Sequence, residues 1–235
     1  MPDLAAHSPP KAARILAAAG ELLLARGSKG VTIAEVARKA HIGKGTVYLY
    51  WKTKEDLLLD LVCRDFVALA DEVTAAVTAD SDLARPSHLC PHMLHLAAAH
   101  PFVSALQRND DGLLGVLTDD PRSARLLDAL GPEAVMHQAL PIWRANDLAR
   151  ADWPLADQAF ALHSLLTGFR TTTGHRYWPQ IDDPGQVLAA AVTALLGPER
   201  ATTEQVRAAA AEGIRIFAEQ RAIALDLIAQ PTHAS

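Results

Sequence analysis

Lysine, threonine and two tyrosines are spread along Lys44-Gly45-Thr46-Val47-Tyr48-Leu49-Tyr50, and this run carries the most specific chemistry in the chain. The Lys44 ammonium suits a phosphate or a guanine edge, the Thr46 hydroxyl suits either, and the phenol hydroxyls of Tyr48 and Tyr50 suit phosphate oxygens. Gly45 has no side chain, so the backbone there can approach a duplex closely. A second group is His88, Cys90, His92, His95 and His100. On one helix His88, His92 and His95 would share a face at a spacing compatible with zinc. Pro91 is expected to break that register and the stretch has no carboxylate, so no metal site is expected. The chain has no Walker loop and no HExxH, GxSxG or GxGxxG, which leaves phosphate-loop, zinc-hydrolase, esterase and dinucleotide readings without support. No catalytic residue and no cofactor are therefore expected.

The elements that must position the Lys44 run are short helices. Ala12, Ile15, Leu16, Ala19, Leu22 and Leu23 form one apolar stripe of helical period, preceded by Pro9 and Pro10 and closed by Gly27 and Gly30. Thr32 and Glu35 are spaced as a capping box, starting a helix whose buried face is Ile33, Val36, Ala37 and Ala40. The pattern breaks at His41-Ile42-Gly43 and resumes as a second short helix from Lys44 to Tyr50. There Val47 and Trp51, four apart, face inward, leaving Lys44, Thr46, Tyr48 and Tyr50 able to point outward. Thr53 caps a longer helix with Asp56 at the reciprocal position and a stripe of Leu58, Val62, Phe66, Leu69, Val73 and Val77. Two short helices joined by a tight turn and braced by a longer one make a helix-turn-helix, whose second helix offers its N-terminal residues to base edges. Lys54, a cation beside the positive end of the helix dipole, is in an unfavourable place that a nearby phosphate would offset.

Charge is distributed to match. Of 235 residues, the first 54 hold nine Lys/Arg against three acids, and the rest hold 13 Arg, no Lys and 24 acids, for a net charge of -5. A basic head on an acidic body is expected when the head meets a polyanion. Hydrophobic residues make up 50% and aromatics only 5%, a globular composition with high helix propensity. Two cysteines make no disulfide framework, no stretch is long enough to span a membrane, and the N-terminus has no apolar signal core, so a cytoplasmic location is expected.

The segment from Gly43 to Leu58, within a stretch running from about Arg14 to Val62, resembles the DNA-binding domain of the TetR family of bacterial transcriptional regulators. Three positions depart from the usual pattern: His41 in place of Gly, Gly43 in place of Ser and Trp51 in place of Phe. The resemblance implies DNA contacts by Thr32, Lys44, Gly45, Thr46, Tyr48, Tyr50 and Lys54. It also implies an all-α chain: an N-terminal three-helix DNA-binding domain (1–54) and a helical ligand-binding and dimerisation domain (55–235).

The body reads as successive helices with short breaks, no strand alternation and no repeat. One begins near Pro86 and Pro91 and ends at His100, and a short one runs from Pro101 to a loop near Asn109–Gly112. One from Pro121 is interrupted at Gly131-Pro132 and resumes to about Ala149. The remaining three run over about 155–173, 184–196 and 203–229. The helix 155–173 is apolar nearly all round and must be covered on all sides, by the core of its own chain or by a second chain. The family resemblance implies a dimer built as a four-helix bundle from 155–173 and 184–196, with 203–229 (Val206, Ala210, Gly213, Phe217, Ala224, Ile228) an extra helix. It also implies a small-molecule pocket. His95, Phe102, Trp143, Phe160, His163 and Thr167 are the named candidates for its lining, among other large side chains (Trp153, Phe169, Trp178) and Arg170. The expected function is a homodimeric regulator, a repressor released from a palindromic operator by an apolar effector. A helical enzyme and an architectural DNA binder without an effector are the alternatives.

Overall fold

The computed structural model describes residues 9–107, 110–117, 121–172 and 181–229. Among them every regular element is helical: α1 (Pro10–Arg26), α2 (Ile33–Lys39), α3 (Lys44–Tyr50), α4 (Lys54–Ala79), α5 (Pro86–Ala97), α6 (Pro101–Gln107), α7 (Asp111–Leu114), α8 (Pro121–Leu130), α9 (Pro132–Ala145), α10 (Leu155–Thr172), α11 (Pro184–Leu196) and α12 (Thr203–Ala229), with short 3-10 turns at Ser81–Ala84 and Gly115–Leu117. Proline opens many of them for one physical reason. Its fixed φ suits the first helical turn, where its missing N–H would have had no partner. Capping boxes start α2, α4 and α12: Thr32 with Glu35, Thr53 with Asp56, and Thr202 with Gln205.

The chain divides into two compact units, one of Met1–Leu69, Ala99–Leu127 and Arg221–Ser235, the other of Ala70–Ala98 and Asp128–Gln220. This division departs from the boundary expected at residue 54. Three tethers within the first unit explain why its head does not end there. Arg122 Nη2 donates to Asp56 Oδ1 at 2.7 Å, and the Gly112 carbonyl accepts from Ser28 N at 2.8 Å. Asp65, fully buried in α4, accepts from Phe102 N (2.8 Å) and Val103 N (3.0 Å) and lies 3.0 Å from His100 Nδ1. A carboxylate buried in this way is tolerable only because all three partners are donors. The core of this unit is formed by Ile15, Leu16, Val36, Val47, Leu58, Val62, Phe66, Phe102 and Leu126.

In the second unit α5 packs against α11 and α10 against α9, around Cys90, Leu140, Trp143, Leu148, Leu162, Leu188, Val192 and Val206. Two local expectations are corrected. α5 continues through Pro91, which removes one backbone donor in an early turn without ending the helix. The histidines nevertheless do not assemble: His88 turns to Asp82, His100 pairs with Asp65, and Cys90 is core. α9 stops at Ala145 instead of about Ala149, because Asp147 takes a left-handed φ of 55° and Leu148 N turns back to Trp143 O. The Asn109–Gly112 loop signal is followed by a helical turn, α7, which Asp110 caps through Leu113 N.

Candidate nucleic-acid interface and effector cavity

α3 is held from behind by two side chains. Val47 is fully buried and Trp51 nearly so. The indole at Trp51 brings an N–H that a phenyl ring would not, and Trp51 Nε1 donates to Asp60 Oδ2 at 2.8 Å. Burial pushes the Asp60 carboxyl up, against the opposing pull of Arg64 and of the Trp51 hydrogen bond.

The turn before α3 carries a cost. His41 sits at φ 53°, in the left-handed region where glycine is at ease and a Cβ is not. The departure from the family's usual glycine is therefore real backbone strain. His41→Gly is expected to raise stability by about 1 kcal/mol, read as a higher urea midpoint with an unchanged slope.

On the outward side Lys44, Gly45, Tyr48 and Tyr50 are exposed and Thr46 is half-buried. A Cβ on Gly45 would meet open space, so at that point the helix surface is bare backbone. Lys44 Nζ lies 5.5 Å from the Tyr48 ring centroid, a cation–π contact that pre-orients both side chains. Tyr50 packs on Trp51 with centroids 5.6 Å apart and still has 38% of its surface exposed.

Thr32 and Lys54 are engaged within the chain. The Thr32 hydroxyl and backbone N–H both donate to Glu35 Oε2 (2.9 and 3.0 Å). Those bonds, ahead of the charges of Arg26 and Arg38, hold Glu35 below the usual carboxylate range. Lys54 Nζ donates to the Ser28 carbonyl at 2.9 Å. The cost of a cation at the start of α4 is thus offset without a phosphate, which removes the physical argument that singled out Lys54.

One residue of the interface was not legible from the residue types alone. Leu49 is 76% exposed on α3, twice as exposed as Tyr48 at 37%. Its position two residues from Val47, on the opposite side of the helical wheel, was the available signal.

The second unit has a cavity of about 70 Å³, partly open to solvent, between α4, α5, α9 and α12. Its walls include Val77, Leu89, Ile142, Trp143, Ile214 and Phe217, with Thr74, Gln138 and Gln220 as the polar members. Of the six candidate lining residues, Trp143 alone is there. Phe102 is core of the first unit, and Phe160 is 74% exposed on α10. His163 and Thr167 contact each other on that same helix. His95 on α5 is exposed and is not part of the cavity walls, and Trp178 lies outside the described residues. Periodicity cannot report which apolar side chains border a void and which border other side chains. The helix that had no assigned role, α12, supplies one whole wall. Both cysteines are buried, and burial pushes the Cys63 and Cys90 thiols up to about 12, which disfavours the reactive thiolate at neutral pH.

Residues 15–61 match the family model for bacterial regulatory proteins, tetR family. The fatty acid metabolism regulator protein of Bacillus subtilis (strain 168) is 38% identical over 52 residues, which is 22% of this chain and 27% of that protein. The chain thus spans about a quarter of the length of the curated relatives it matches. Among solved structures, the reduced form of E. coli NemR superposes with a TM-score of 0.58 at 22% identity, covering 80% of this chain and 99% of that one. The fatty acid degradation regulator FadR from Bacillus halodurans gives 0.56 at 19% identity, covering 83% and 99%. These likenesses extend the shared fold well beyond the matched N-terminal segment.

Proposed function

We propose that this member of the TetR family of bacterial regulatory proteins is a dimeric, effector-responsive DNA-binding regulator, a repressor released from a near-palindromic operator. The observation that carries the reading is α3 itself, a helix buried on Val47 and Trp51 that turns Lys44, Gly45, Thr46, Tyr48, Leu49 and Tyr50 outward together. Lys44, Thr46 and the tyrosines supply phosphate and base-edge contacts, Gly45 the close approach, and Leu49 an apolar contact for a thymine methyl.

A second chain is supported by α10 and α11. Phe160 and Val187 are 74% and 46% exposed, although α10 is apolar on nearly every side. Two copies packed about a two-fold axis would cover that face and set two α3 helices on half-sites about 34 Å apart. Phe160→Glu places like charges across that axis. It is expected to weaken the dimer at least about tenfold by sedimentation and to leave helicity intact, since the side chain is 74% exposed.

The cavity is the proposed effector site. The effector acts only if it prefers the conformation whose heads fit the operator badly, since affinity without preference shifts nothing. The name of the Bacillus subtilis relative, a fatty acid metabolism regulator, makes acyl compounds the first effectors to test. Selecting bound duplexes from a random pool tests DNA binding, symmetry and half-site spacing together. An inverted repeat with a thymine in each half-site is expected, and a pool with no enriched duplex would refute the assignment.

A further inference from the structure

Among the described residues lining the cavity there is no Asp, Glu, Lys, Arg or His. Trp143 presents only its ring, because its Nε1 is already committed to the Ala84 carbonyl at 3.0 Å. Polarity is confined mainly to one spot. Gln220 Nε2 donates to Ala129 O at 3.2 Å and to Gln138 Oε1 at 2.9 Å, which uses both hydrogens of that amide. The pair therefore offers a guest the Gln138 amide NH2 as donor and the Gln220 carbonyl as acceptor. An ion placed here would lose its hydration and find no counter-charge.

We infer that the effector is an uncharged, largely aliphatic or aromatic molecule with a single carbonyl, hydroxyl or amide group that meets the Gln138–Gln220 pair, and that ionised carboxylates and ammonium ions are excluded. The inference rests on reading the cavity as the effector site and sharpens it: an acyl effector enters as a neutral ketone, ester, amide or lactone, with no ionised head inside. Gly213 adds a second constraint. It lies in the middle of α12 on the cavity wall, where a Cβ would meet nothing within 4 Å. A Cβ there has room beside the cavity, so a larger side chain at this wall position is expected to take up cavity space, and alanine or leucine in mid-helix is favoured over glycine.

The test titrates the full chain by calorimetry with three probes of equal length, 2-decanone, decanoate and decylammonium, at neutral pH. Release of the selected duplex is read in parallel. The ketone is expected to bind, and both ions to bind at least about tenfold more weakly. Gly213→Leu is expected to abolish ketone binding with thermal stability unchanged or raised. Gln138→Leu should weaken the ketone about fivefold while changing toluene, which needs no hydrogen bond, by less than about twofold. Decanoate bound as tightly as the ketone and lost in Gly213→Leu overturns the inference. Ketone affinity that is absent, or indifferent to both substitutions, does so as well. Ketone binding that is lost in Gly213→Leu but never releases the duplex upholds the ligand class and defeats the regulatory reading instead, so the two failures are distinguishable.

Discussion

Asp65→Ala should cost the chain about 3–5 kcal/mol of stability, the largest effect expected of any single substitution here. The carboxylate is fully buried and joins three donors, the amides of Phe102 and Val103 and the ring of His100. Alanine leaves all three facing a low-dielectric core with no acceptor. Asn retains one acceptor oxygen but aims an NH2 at groups that are themselves donors, so Asp65→Asn should fall between the two. The measurement is the urea midpoint followed by far-UV circular dichroism. Loss of less than about 1 kcal/mol in Asp65→Ala would mean that α6 is held to α4 by apolar packing alone. The effect should also reach function, because the same α4 begins at the Thr53–Asp56 capping box two residues after Trp51.

Lys44→Ala and Tyr48→Phe should each weaken operator binding by about 1–3 kcal/mol, roughly 5- to 150-fold. The pair is informative because the two changes remove different things. Lys44→Ala removes a charge and its contact with the Tyr48 ring, so the slope of log affinity against log salt should also become shallower by about one. Tyr48→Phe keeps the ring and takes only the hydroxyl, so its loss should leave the slope nearly unchanged. Titrations of the selected duplex at several salt concentrations distinguish the cases. Native affinity in both variants at physiological salt would show that α3 is not the reading helix.

Much of this was already written in the residues, wherever the governing interaction is local. The α1 stripe, the Thr32–Glu35 and Thr53–Asp56 caps and the two inward plugs of α3 depend on neighbours three or four positions away. Spacing therefore determined both the helices and the outward face proposed to read DNA, and the excess of lysine and arginine before residue 55 marked that end of the chain as cationic.

Other features were decided only when distant segments met. The helix-dipole argument points Lys54 to a phosphate, whereas Ser28, 26 residues earlier, supplies a carbonyl 2.9 Å away that meets the same need. Phe102 and Trp143 are alike as large buried aromatics, yet one fills a core and the other borders a void. Which is which depends on how helices far apart in the chain leave space between them. The first unit is likewise tied together through Asp65 and Arg122, whose partners no local pattern announces. Helical periodicity encodes which side of a segment avoids water, because that is a property of the segment. The shape of a cavity and the partner of a buried charge belong to the assembled packing, and tertiary structure alone specifies them.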